Sequence, residues 1–451
     1  MIITLDCVRP DFLGCYGCES VRTPTLDRLA RGGVVFEQAI TQAPNTWVSH
    51  AGIFTGLYPP RHGLRSPYDR LSPEIDTLAS LLARQGYATA GFPGSDLAGS
   101  RMGFHEGFDF FYEGFLNTGG CFEGTDGGPG LLHGTGRADA LLAAGGVHDQ
   151  SPGVFASGQA GGGLFPDRAN PVRIQGRNDW DDVLEAARGW LARQRDPVFL
   201  WFHYLDTHHL PALDLPDYYR FSREPLWQFY EGKVSYADDR CVRAVIDLLR
   251  NRGGFEETLF VVLSDHGEGL LPGRPPSHNG ELTEEVLRVP LIFFCERAPW
   301  NGVRVPHLVR TTDLLPTLLG ILCGPGSCPQ GARGPTFSGI PLPSLNHEFP
   351  AGILQGPASD FAYAENVPLG HYCVRTSEWK FILRPEGEAL VHLDTDPGEQ
   401  LNVVHRHPRT ARYLKEALEE VRSSRSLAPE LPADREEEET RRLLRSFGYL
   451  A

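Results

Sequence analysis

Thr258–Glu268 reads TLFVVLSDHGE. Its apolar run does not alternate with polar residues, so it predicts a strand covered on both faces, as in the middle of a parallel sheet. The run stops abruptly at an acid and an imidazole, Asp265 and His266. The chain uses the same pattern twice more. Met1–Leu5 ends at Asp6, and Pro197–Tyr204 (PVFLWFHY) runs into Asp206, His208 and His209. Ligands of open parallel sheets bind beyond the carboxyl ends of the strands. Three strand ends that are acidic, or acidic with histidine, therefore predict one shared polar site.

The intervening sequence supplies the rest of an α/β pattern. Val34–Ile40, Tyr87–Phe92 and Val289–Cys295 read as further strands. Helices are expected at TPTLDRLARGG (Thr23–Gly33), from Ser49 to Thr55, at Ile75–Gln85, Val234–Asn251 and Thr312–Ile321. The first of these has Pro at its start and Gly at its end. Strands and helices alternate to about residue 320, which predicts an α/β fold with a mostly parallel central sheet. Gly119–Gly163 is rich in Gly and Ala without periodicity, and reads as a loop insertion spanning about residues 116–170. From about Tyr363 the pattern changes to short strands around CVRTSEWKFIL and ALVHLD, then helices. The expected organisation is a catalytic α/β domain over 1–345 and a small α+β subdomain over 346–451.

Composition narrows the function. The 451 residues carry a formal charge of −15, with 41% hydrophobic content. No dense Lys/Arg cluster is present, which argues against nucleic acid as a partner and for a small ligand. No apolar run approaches the ~20 residues of a membrane span. The chain opens MIITLD with no basic and apolar leader, so the expectation is cytoplasmic, with the reservation that a chain starting inside a strand has room for a truncated start. Nine scattered cysteines read as reduced thiols rather than a disulfide framework, and Cys15–Cys18 has C-x-x-C spacing without a second pair.

The strand-end residues Asp6, Asp206, His208, His209, Asp265 and His266, with His278 in the loop beyond, combine carboxylates and imidazoles. That donor mixture suits zinc, manganese or iron. Taken singly, an Asp after a strand often caps a turn and a His is more often a hydrogen-bonded structural residue; the joint pattern carries the metal reading.

Several stretches also resemble the sulfatase-like branch of the alkaline phosphatase superfamily. They are LDCVRPDFLGCYG, TPTLDRLARGGVVFEQAITQAP, FTGLYPPRHG, LSDHGEG, LRVPLIF, TDLLPTLLG and LDTDPGEQLN, in the family's order. The terminal LRSFGYL resembles the ending of many bacterial members. The resemblance implies an alkaline-phosphatase-like three-layer fold. It makes Asp6, Asp265 and His266 metal ligands, puts Thr46 at the nucleophile position and matches His208 to a histidine near the leaving group. His278 falls where many sulfatases carry lysine and two-metal relatives carry a histidine ligand, and His50 where the formylglycine enzymes carry arginine, which makes it a candidate catalytic residue to hydrogen-bond the transferred group.

Two departures shape the expectation. Sulfatases that form formylglycine need Cys or Ser in a C/S-x-P-x-R segment; here the stretch is Thr46-Trp-Val-Ser-His50, and no such segment occurs in the chain. Cys7 stands where many sulfatases have a second Asp. The superfamily also has threonine-nucleophile phosphodiesterases and head-group transferases. The expected protein is therefore a divalent-metal hydrolase of phosphoric esters, diesters or phosphonate esters preferred, using Thr46. One or two ions are expected, zinc or manganese before calcium. Thr46, Asp6, Asp265 and His266 would share the first, and Asp206, His278 and one of His208 or His209 the second. The alternatives are a sulfuric ester hydrolase of the same fold, a transferase, or a binding protein. A threonine in this place also reads as a helix N-cap worth about 1 kcal/mol.

Overall fold

A computed structural model of the protein describes residues 1–113, 172–175, 180–195, 197–208, 225–270, 278, 280–323 and 361–427. The expected insertion at 116–170, the boundary near 345 and His209 lie outside the described residues.

The strands are β1 (Ile2–Leu5), β2 (Val34–Ile40), β3 (Ala88–Phe92), β4 (Phe110–Glu113), β5 (Val172–Gln175), β6 (Val198–Tyr204), β7 (Phe260–Ser264), β8 (Arg288–Val289), β9 (Leu291–Phe294) and β10 (Val303–Arg310). They form a ten-stranded sheet in the order β10-β2-β9-β7-β1-β6-β3-β4-β5, with β8 paired to β2. β1 lies at the centre, parallel to both β6 and β7. The three strands that end in acid or histidine are thus adjacent, and their carboxyl ends open on one edge.

The sheet is mostly parallel. The exceptions are β9, antiparallel to β7 and β2, and β8, antiparallel to β2. The single strand expected at Val289–Cys295 is split at Pro290, which has no N–H to donate to a ladder. The helix expected at Val234–Asn251 is also composite: Pro225–Ala237, a π-helical turn Asp238–Val242, then Arg243–Arg252. In that turn Asp238 accepts from the backbone N–H groups of Thr25 and Leu26 at 3.0 and 2.7 Å. It thereby caps the neighbouring helix Pro24–Gly32, whose own Thr23 makes no cap bond.

Two hydrophobic clusters cover the two faces of the sheet. One contains Trp47, Phe54, Phe108 and Trp201, the other Phe12, Phe92, Phe202 and Tyr230. Every residue of the helix Thr46–Thr55 is buried. Its polar side chains therefore need internal partners, since an unsatisfied buried polar group costs ~1–3 kcal/mol.

Strands β11 (Ala362–Asn366), β12 (His371–Arg375), β13 (Trp379–Arg384) and β14 (Gly387–His392) form a separate antiparallel sheet. The helix Pro408–Arg422 packs on it through Leu414 and Leu418. Residues from both parts meet in buried ion pairs. Glu284 lies 3.0 Å from Arg375 and 3.3 Å from Lys380, and Lys380 lies 2.9 Å from Glu399. Glu399, in the DPGEQ turn, also accepts from the Glu284 N–H at 2.6 Å. That turn holds the small sheet against the short helix Glu284–Leu287.

Candidate active site

Asp6 follows β1 and Asp265 and His266 follow β7, so the two strands' parallel register delivers them side by side. All three are fully buried, and one ligand atom from each falls within 4.8 Å of the others. Gly267 makes the sharp turn after them possible: a Cβ there would sit 2.0 Å from the Glu285 carbonyl oxygen. Its N–H donates to Val286 at 2.8 Å, which ties the loop to the Glu284 helix.

Thr46 is the first residue of its helix, and the N-cap position belongs to Asn45, whose side chain makes no cap bond. The cap reading of Thr46 therefore fails. Its hydroxyl instead faces the acidic cluster, 3.4 Å from His266 Nε2. The other ring nitrogen, His266 Nδ1, lies 3.0 Å from the Gly267 carbonyl. Donation to that carbonyl leaves Nε2 as the acceptor or ligand atom. The leading N–H groups of a helix have no intrahelical acceptor, and this one begins at the site.

Ser49 points back into the fold. Its Oγ donates to the Asp265 carbonyl at 2.5 Å and lies 2.8 Å from Thr41 Oγ1. It fixes the backbone that carries Asp265. His50, expected to be catalytic, is fully buried behind the cluster. Its Nδ1 sits 2.8 Å from the Thr46 carbonyl and its Nε2 3.2 Å from Thr4 Oγ1. Burial, then the neighbouring His203, hold its pKa well below the ordinary histidine value.

The expected second group assembles in part. His278 and His208 are both buried, with ring centroids 4.9 Å apart, and His208 groups with Asp6 and Cys7. Asp206 does not join them. It is half-buried, and its charge acts on Tyr204, Tyr236 and Lys233. The donor groups among the described residues do not bring Asp206 together with His278.

Four contributors escaped the sequence reading. His203 Nε2 lies 3.1 Å from Asp6 Oδ2, inside an apolar strand where a histidine draws no notice. Register identifies it: His203 is level with Thr4, two residues from Asp6 and therefore on the same face. Glu268 reaches His278 Nδ1 at 3.4 Å. Cys7 donates its thiol to Asp6 Oδ1 at 2.9 Å. Lys233 is nearly fully buried, donates to the His208 carbonyl and lies over the Phe229 ring. Burial brings its ammonium down to about 8, opposed by Cys7, Asp206, Glu268 and Asp6.

The electrostatics follow from this crowding. Burial, then the negative Asp6, push Asp265 up to about 6. Asp6 is also raised by burial, but the His203 hydrogen bond and the nearby His208 and His266 outweigh that and hold it well below the carboxylate range. Asp265 Oδ2 accepts no hydrogen bond from the described residues. Buried carboxylate oxygens beside imidazoles form the donor set of a divalent cation, so the residues present fit a metal centre.

The sulfatase family model matches residues 1–324. The chain belongs to the sulfatase family. Over 447 residues it is 23% identical to Delta 4,5-hexuronate-2-O-sulfatase of Bacteroides thetaiotaomicron, covering 92% of this chain and 86% of that protein. It is 27% identical to arylsulfatase A of Homo sapiens, covering 85% and 74%. The phosphonate monoester hydrolase of Agrobacterium radiobacter has the same fold, with a TM-score of 0.61 at 19% identity over 94% of this chain and 95% of that one. This sulfatase-family chain is a metal-dependent ester hydrolase of the sulfatase type. The expectation of a phosphoric ester hydrolase is corrected: its sequence relatives are sulfatases, which favours sulfuric esters. The absent C/S-x-P-x-R segment bears on the nucleophile and does not choose between sulfur and phosphorus. No helix among the described residues is long and apolar enough to cross a membrane.

Proposed function

We propose that this chain hydrolyses sulfuric esters of small molecules with Thr46 as its nucleophile. The observation that carries the reading is the Thr46 hydroxyl at the start of a buried helix, 3.4 Å from His266 in the Asp6–Asp265–His266 cluster. Sulfated sugars are the first substrates to try, because a relative aligned over most of the chain is a hexuronate sulfatase.

Asp6, Asp265 and His266 would hold the divalent ion, with zinc or manganese suited better than calcium to a set that includes imidazole. When bound, it supplies positive charge for the ester's oxygens and lowers the pKa of an adjacent hydroxyl. Thr46 Oγ1 forms a bond to sulfur while the bond from sulfur to the alcohol oxygen breaks. The Thr46 proton leaves to solvent in this step, and His208, protonated at the outset, gives one to the departing alcohol. Water then attacks sulfur and the bond to Thr46 breaks; one water proton returns to His208 and the other to the threonine as sulfate leaves. N–H groups at the helix start stabilise the sulfuryl oxygens. His50 fixes the Thr46 carbonyl, Lys233 the His208 carbonyl, and His203 orients Asp6.

The test is a set of initial rates on an aryl sulfate, sulfated monosaccharides and a nitrophenyl phosphodiester with added zinc or manganese. Faster turnover of sulfate esters, abolished in Thr46→Ala, supports the proposal. Sulfate turnover that survives in Thr46→Ala removes Thr46 from its role.

A further inference from the structure

Cys7 is fully buried, and no step above uses it. It also occupies a backbone conformation, φ 58°, that L-residues other than Asn and Asp seldom take. Its backbone is pinned on both sides: the Cys7 carbonyl accepts from Tyr230 at 2.6 Å, and its N–H reaches Asp265 Oδ1 at 3.4 Å. The side chain is thereby aimed into the cluster. The thiol lies 2.9 Å from Asp6 Oδ1, 3.6 Å from His278 Nδ1 and 3.7 Å from His266 Nδ1. It belongs to two of the donor groups, with His266 and His278 and with Asp6 and His208.

We propose that Cys7 is a metal ligand, acting as a thiolate with His278 and Asp6, so that this chain takes a zinc-class ion at the place where a carboxylate would favour a hard one. The inference rests on the metal-dependent reading above. Bond lengths of ~2.3 Å to sulfur and ~2.05 Å to nitrogen at a tetrahedral angle put the two ligand atoms about 3.6 Å apart. The Cys7–His278 separation has that value. His266 Nδ1 faces the Gly267 carbonyl at 3.0 Å, whereas the His278 Nδ1 contact to Glu268 is longer, 3.4 Å, and gives way to ligation, so His278 supplies the imidazole. Asp265 Oδ2, fully buried and accepting no hydrogen bond from the described residues, points independently to a cation at this cluster. Binding breaks the S–H bond, forms a sulfur–metal bond and releases the proton to solvent; no electron is transferred. The short contact to Asp6 is a thiol hydrogen bond and opens when that proton leaves.

Cobalt reports the ligand directly. Chelator-treated full-length protein is loaded with Co²⁺ and compared with Cys7→Ala and Cys7→Asp, the latter suited to the same positive-φ position. The wild type should show a near-ultraviolet thiolate-to-cobalt charge-transfer band, absent from both variants. Zinc affinity should fall in Cys7→Ala by more than the ~10–100-fold typical of losing an outer-shell partner. Cys7→Asp should gain calcium affinity relative to zinc. A wild type without the band, a wild type that binds no cobalt, or a band that persists in both variants overturns the proposal. Sulfate-ester turnover is measured on the same samples. Turnover without the band breaks only the role of Cys7; the band without sulfate turnover breaks only the sulfatase reading.

Discussion

Two buried clusters of charge in this protein are built on opposite terms. At the junction with the small sheet, Glu284 and Glu399 meet full cations, Arg375 and Lys380. At the strand ends, Asp6 and Asp265 meet imidazoles and a thiol. Their proton affinities record the difference. Burial raises Glu284, but Lys380 and Arg375 more than offset it and bring it down to about 2. Asp265 is pushed up to about 6 by burial and by Asp6. The junction neutralises itself within the fold. The strand-end cluster has the composition of a metal and reaction centre. Buried charge therefore marks structure in one place and function in the other, and the identity of the partner tells them apart.

The contrast can be broken from either side. The largest effect is expected from Thr46→Ala: loss of sulfate-ester turnover by at least ~10⁴-fold with unchanged circular dichroism. Retained turnover would return Thr46 to a structural role. At the junction, Glu284→Gln should cost about 3–5 kcal/mol in denaturant unfolding, because Arg375 and Lys380 lose a buried partner. Its metal affinity should be unchanged, and a parallel loss of metal would show that the clusters are coupled.

The pH dependence of stability sharpens the same point. The ordinary glutamate value is 4.5 and Glu284 in the fold is at about 2. A depressed carboxyl stabilises the fold fully above pH 4.5, and that stability is lost as pH falls from 4.5 towards 2. The difference amounts to ~3 kcal/mol. Unfolding midpoints across that window should fall in the wild type and change less in Glu284→Gln; parallel curves would remove Glu284 as the source. The smallest effect is expected from His203→Phe, which removes the partner of Asp6. Zinc affinity measured by calorimetry should drop ~10–100-fold, as for other outer-shell losses. An unchanged affinity would mean that Asp6 needs no such support.

The sequence made the first-rank features legible for a physical reason. Unbroken apolar strands ending in acid or histidine required a buried parallel sheet, and such a sheet places Asp6, Asp265 and His266 together. The helix start at Thr46 was found by resemblance and placed by the structure one residue beyond the N-cap. What stayed hidden depended on side-chain direction or register. His203 was lost inside PVFLWFHY, and its use appears only when β6 is set against β1. His50 looked reactive because the linear sequence does not show that both ring nitrogens face Thr46 and Thr4. Cys7 was noticed as a missing carboxylate rather than as a donor, since its meeting with His278 joins residues 271 apart.

The central claim is that Thr46 attacks sulfur. Metal-loaded protein mixed with an aryl sulfate, quenched in acid and digested, would be analysed by mass spectrometry of the peptide containing Thr46. The account predicts a fraction carrying one added SO₃ group on Thr46, absent in Thr46→Ala. Steady turnover of the aryl sulfate with Thr46 never modified, even when quenched within the first turnover, would contradict it.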